Sequence, residues 1–130
     1  MRAPTLNTGY PNKHSLASAA GTNATVVKAS QAVLGGVYLS CASANNGVCI
    51  KIYDKASAPT IGVDTPVLSF YTYSNITGGG EETSPGQANF VPPGGINFTS
   101  GISYALTREI TPGGGSGVGA GEVVVSMVYV

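Results

Sequence analysis

From Thr22 onward the chain is a succession of short Val/Ile/Tyr/Thr-rich runs, each closed within a few residues by glycine, proline or asparagine. β-branched and aromatic side chains favour the pleated, half-buried surface of a sheet, and glycine and proline punctuate it. No segment sustains the three-to-four-residue apolar spacing of an amphipathic helix. The runs are Ala24–Ala29, Val33–Ala42, Val48–Tyr53, Val67–Tyr73, Ala88–Val91, Ile96–Phe98, Ile102–Thr107 and Glu122–Val130. Regular short strands with turn signals between them predict an all-β, antiparallel β-sandwich of about eight strands, jelly-roll-like in layout.

Alternation assigns faces within the runs. Val48, Ile50 and Ile52 fall on one side and Cys49, Lys51 and Tyr53 on the other. Leu68, Phe70 and Thr72 are likewise separated from Val67, Ser69, Tyr71 and Tyr73. Gly35-Gly36 predicts an irregularity within a long strand. Asn45-Asn46-Gly47 predicts a tight hairpin joining the strands on either side of it. Gly78-Gly79-Gly80-Glu81-Glu82 reads as a flexible, charged tip, and Gly113–Gly117 as a flexible inter-strand loop. The last run is apolar enough to belong in the middle of its sheet, because an exposed edge of that kind invites aggregation. Residues 1–21, broken by Pro4, Gly9, Pro11 and Gly21, read as an extended N-terminal arm, with residues 22–130 as the single sandwich domain.

Composition narrows function. Charged residues are 9% of the chain, against about 25% in an average globular protein. Six basic and six acidic residues cancel, and the basic ones are scattered. Nucleic-acid binding, which needs clustered Lys and Arg, is therefore not expected. Nor is a membrane span, since no apolar run approaches about 20 residues. The start of the chain lacks the apolar core of a secretory signal, so synthesis in a cytoplasm is expected. Low charge suits a surface that packs against other proteins.

The candidate reactive groups each have a plainer reading. Asp54 and Asp64 stand beside turns, where a carboxylate caps backbone amides. His14, the single histidine, lies in the arm, where nothing positions it as a base. The glycine-rich loop lacks the Lys-Ser/Thr ending of a phosphate loop. Cys41 and Cys49 would face each other across a hairpin, but reduced, half-buried thiols are the expected state. Two thiols and one distant histidine do not make a zinc site. Three Asn-X-Thr triplets, at Asn23, Asn75 and Asn97, read as sheet composition. No catalytic residue, cofactor or metal is expected, and the chain does not read as an enzyme.

The run Asn23–Ala29, the stretch Ile50–Ala56 leading into Ala58–Val67, and then Gly94–Phe98, Gly101–Thr107 and Gly121–Val125 follow a recognisable order. Over about residues 22–130 this order resembles a family of small β-rich bacteriophage virion proteins of the capsid decoration or cement type. The resemblance implies a β-sandwich on the capsid exterior that bridges major capsid subunits, with the major capsid protein and further copies of itself (dimer or trimer) as partners. It carries over no catalytic residue. The arm supplies candidate contact residues Arg2, Leu6, Tyr10, Lys13 and His14, and the tyrosine-rich run supplies Tyr71 and Tyr73. The alternative expectation is a receptor- or glycan-binding module of a phage tail or fibre, using the same tyrosines.

Overall fold

The computed structural model describes residues 9–41, 47–73 and 86–130, with the backbone alone for Tyr73 and Gly86. The described residues form nine strands and no helix. The strands are β1 (Asn12–Ala17), β2 (Thr25–Lys28), β3 (Ala32–Cys41), β4 (Gly47–Asp54), β5 (Leu68–Tyr73), β6 (Gly86–Phe90), β7 (Ile96–Phe98), β8 (Ile102–Thr107) and β9 (Val123–Tyr129). β1, β9, β3 and β6 make the first sheet in that order, with β7 also on β3. β2, β8, β4 and β5 make the second sheet.

The pairings follow from one folded ribbon. β1 with β9, β2 with β8, β3 with β7 and β6, and β4 with β5 are the rungs of a single long antiparallel hairpin. Its tip is the 55–67 connection. Bending the ribbon over itself adds the pairs β3–β9 and β4–β8 and divides it into two sheets. That arrangement is the jelly-roll sandwich the runs predicted. β6 and β7 share one strand position, interrupted at Pro92–Gly95, where Gly95 N–H bonds to the Pro92 carbonyl at 3.0 Å.

The core lies between the sheets and is built from alternate residues. Val48, Ile50 and Ile52 of β4 and Ile102, Tyr104 and Leu106 of β8 are fully buried from one side. Leu34, Val37 and Leu39 of β3 and Val123, Val125 and Met127 of β9 oppose them. Leu68 and Phe70 of β5 pack against this cluster, and the Phe70 ring meets Phe90 at 5.0 Å between centroids. β9 is central, between β1 and β3, and the expected irregularity in β3 is a register shift between Leu34 and Gly36. Asp54 caps a turn as expected. Its carboxylate accepts from the N–H groups of Thr99, Ser100 and Gly101 and from the Thr99 hydroxyl. Burial raises its pKa, but these bonds outweigh burial and hold it below the usual range.

Three expectations are corrected. β3 and β4 do not form a hairpin; they belong to different sheets, because β3 finds its neighbours in β9, β6 and β7, and β4 finds its own in β8 and β5. Asn45 and Asn46 lie outside the described residues. Cys41 and Cys49 are accordingly not bonded to each other, and both are fully buried.

The second correction concerns the arm. Asn12–Ala17 is the edge strand of the first sheet, in register with Tyr129–Val124, so the sandwich begins before residue 22. The pattern Lys13-His14-Ser15-Leu16 explains it: Leu16 turns inward onto the core, and the chain's only histidine follows it. His14 is thus positioned after all. Its Nε2 lies 2.8 Å from the Tyr104 hydroxyl of the opposite sheet, with the rings edge to face at 5.5 Å. Removing residues 2–21 would take out a strand, not a loose tether.

Third, Tyr10 is not a reaching arm residue. Its ring lies on Gly35, where a Cβ would sit 2.4 Å from the ring, and its hydroxyl reaches Gly95. Only a glycine at position 35 leaves room for it.

The His14–Tyr104 link makes stability depend on mild acid. Burial lowers the His14 pKa from its ordinary 6.5 and pushes Tyr104 up to about 12. The unfolded chain therefore takes up the His14 proton more readily than the folded one. The contribution is complete above pH 6.5 and is lost as pH falls through the lower folded value. The carboxylates with depressed pKa, Asp54, Asp64, Glu109 and Glu122, have ordinary values of 3.8 or 4.5 and act only at lower pH. The melting temperature is expected to drop between pH 7 and about 5, and to stay level over that window in His14→Gln. An equal drop in the variant would remove His14 as the cause.

Candidate functional site

The two outer faces of the sandwich are unlike. Sheet sandwiches ordinarily turn polar residues outward to solvent. On the second sheet the outward residues Cys49, Lys51 and Tyr53 of β4 and Ser103, Ala105 and Thr107 of β8 are instead buried to 1% exposure or less. Burial pushes the Cys49 thiol up in pKa, against the opposing pull of Lys51 and Thr107.

The cover comes from the connection between β8 and β9, expected from its glycines to be flexible. It is tied at several points. The Arg108 guanidinium forms a two-bond ion pair with Glu122, closing the loop at its base. Glu109 accepts from the Ser116 N–H and hydroxyl, and Arg108 N–H bonds to the Ser116 carbonyl at 2.9 Å. Lys51, rising from β4, donates to the Gly114 carbonyl at 2.7 Å. Gly21 and Val118 exchange two backbone bonds of 2.9 Å. At Gly117 a Cβ would lie 2.5 Å from the Gly21 carbonyl carbon, so glycine here serves close backbone approach, not freedom.

The 55–67 connection completes the cover. Ile61 Cγ2 would meet a Cβ on Gly115 at 3.8 Å. Asp64 accepts from Lys55 at 2.6 Å and from the Thr60 N–H at 2.7 Å, and those bonds hold its pKa down. Tyr53 and Ser103, directly opposed beneath this layer, carry hydroxyls with no protein hydrogen-bond partner among the described residues.

The first sheet's outer face has no such cover among the described residues. Register sets its residues in rows across the strands. One row is Ala17, Val124, Ser40 and Gln87; the next is Ser15, Ser126, Tyr38 and Asn89. A third runs Lys13, Val128 and Gly36. Val124 is 43% exposed and Tyr38 40%. Lys13, at the sheet edge, is the one charge in these rows. The face is therefore four strands wide and almost uncharged, with apolar groups at its middle. Isolated exposed apolar residues are ordinary; here Val124 and Tyr38 lie in adjacent rows on the two central strands of a face that carries one charge.

The structure disperses the residues singled out from sequence. Lys13 is exposed on β1, at the margin of the open face. Tyr10 and His14 are used within the fold. Tyr71 is 44% exposed on the second sheet, its hydroxyl against Gly47, far in topology from β1. Tyr73 pairs with Gly47 at the end of β5. Arg2 and Leu6 lie outside the described residues, as does the 78–82 tip. Sequence reasoning missed Tyr38, Val124, Ser126 and Val128. The available signal was that Val124 and Val128 occupy outward positions of β9, where polar residues belong.

No group of three or more His, Cys, Asp or Glu among the described residues is arranged to hold a metal ion. Comparisons with protein-family models, with curated proteins and with solved structures found no match.

Replacing Lys51 by methionine keeps the buried stem and removes the bond to Gly114. Amide exchange across residues 113–117 is expected to rise about tenfold, a hydrogen bond from a charged donor contributing about 1.5 kcal/mol or more. β4 and β8 amides should stay protected. Unchanged exchange in the loop would mean that Lys51 does not hold it.

Proposed function

We propose that this protein is a structural component of a phage particle, a decoration or cement protein that binds the outside of the capsid and clamps neighbouring major capsid subunits. The carrying observation is the open outer face of the first sheet, which is extended, rigidly backed by the core and nearly free of charge. Such a face suits permanent contact with a protein shell, because few charges must lose water on docking. The order of segments over residues 22–130 supports the same reading by resemblance. The jelly roll supports it only as analogy, since the same architecture also serves in lectins and cupins. Clamping gains its strength from several copies or contacts acting together.

The mechanism requires the face to be buried against the shell. Tyr38→Glu and Val124→Lys each put a charge at its centre without entering the core. Occupancy on particles is expected to fall by more than about tenfold, since an unpaired charge would have to be desolvated. Circular dichroism and melting temperature should be unchanged. Full occupancy of both variants would sink the docking role of this face.

The exposed Tyr71 ring favours a second reading, a receptor- or glycan-binding module of a tail or fibre. Imaging of labelled protein on intact particles separates the two: signal over the shell supports the first, signal at the tail the second. Loss of glycan binding in Tyr71→Ala would also favour the second.

A further inference from the structure

The four sheet edges are not equally protected. An edge strand presents unpaired N–H and C=O groups, and proteins blunt such edges with charge, proline, irregular register or shortness. β1 carries Lys13 within its run. β2 is four residues long, ends in Lys28 and shifts register between Val26 and Lys28. The β6–β7 edge is broken at Pro92-Pro93, and β7 has three residues. β5 has none of these devices. Leu68-Ser69-Phe70-Tyr71-Thr72-Tyr73 contains no charge and no proline. Its register on β4 is unbroken from Gly47↔Tyr73 to Ile52↔Leu68, so no bulge interrupts the strand. Among the described residues no strand pairs with its outer side.

We propose that β5 is a self-association edge, and that two copies of this chain pair β5 to β5 antiparallel about a two-fold axis, joining their second sheets into one eight-stranded sheet. The occupant follows from the edge itself. Antiparallel pairing about a two-fold is self-complementary, so a strand without charge meets an identical strand without like-charge opposition. Face matching then restricts the register. Directly opposed residues share a face, so inward Leu68, Phe70 and Thr72 must oppose inward residues if the cores are to lie on the same side. Centring the axis on Phe70 satisfies this and uses the whole strand. Leu68 then opposes Thr72 of the partner subunit, and Ser69 opposes Tyr71 of the partner subunit. Tyr71, half exposed in one copy, is covered across the junction. Pairing here leaves the open face of the first sheet free, and does not depend on what that face binds.

The test is mass in solution. Light scattering at about 100 μM, a concentration suited to an interface of modest area, is expected to give twice 13.0 kDa for the full chain. Ser69→Glu, whose carboxylate would sit opposite Lys51 within its own sheet, and Val67→Lys, at the exposed position just before the strand, should each return the mass to 13.0 kDa with an unchanged circular dichroism spectrum. Amide exchange at 68–73 should slow with rising concentration in the wild type alone, which keeps the test decisive if one variant folds poorly. A monomeric wild type, a closed trimer, or concentration-independent exchange at β5 would each overturn the proposal.

Discussion

β9 between β1 and β3 is the pairing on which the rest depends. It brings the last strand of the chain against the first and third, so the ribbon closes only when the C-terminal segment arrives. Val123, Val125 and Met127 then supply the first sheet's half of the core opposite Ile102, Tyr104 and Leu106. Everything outside the core inherits its position from this closure. β1 is held as an edge strand only because β9 lies beside it, and His14 reaches Tyr104 only because β1 is held.

The closure also accounts for the difference between the two outer faces. The β8–β9 connection leaves the second sheet and must return to the first, so its path crosses one end of the sandwich. In doing so it folds back over β4 and β8, where Lys51 and the Arg108–Glu122 pair tie it down. The first sheet has no corresponding long connection over it among the described residues. One face is consequently sealed by the protein's own chain, and the other is left broad and nearly uncharged. The proposed shell-binding role belongs to that open face, while the unguarded β5 edge lies on the other sheet.

Much of the fold was legible. The strand runs, the inward set Val48, Ile50 and Ile52, the glycine irregularity in β3 and the central place of β9 follow from side-chain alternation and turn chemistry, which act over a few residues. The errors came where distant segments decide. Asn45-Asn46-Gly47 promised a hairpin, but the better partners of β3 and β4 lie far along the chain. Residues 12–17 looked like an arm because a short edge strand with one inward leucine carries little local signal. The glycine-rich loop looked flexible because glycine permits both freedom and close backbone contact, and only Gly21 opposite Gly117 selects the second.

Of the contact residues singled out from sequence, Lys13 lies exposed at the margin of the open face and Tyr71 lies exposed on the other sheet, whereas Tyr10 and His14 are taken up internally. Tyr38, Val124 and Val128 were overlooked because a strand apolar on both faces signals burial on both faces. By itself the sequence determined the all-β class, the strand positions and which side of each strand turns inward, because these depend on residue type and a period of two. The tertiary structure alone decided which strands are neighbours, which outer face is covered and which is open. Those outcomes depend on long-range pairing and on where a connecting loop comes to rest, neither of which is encoded in any local run.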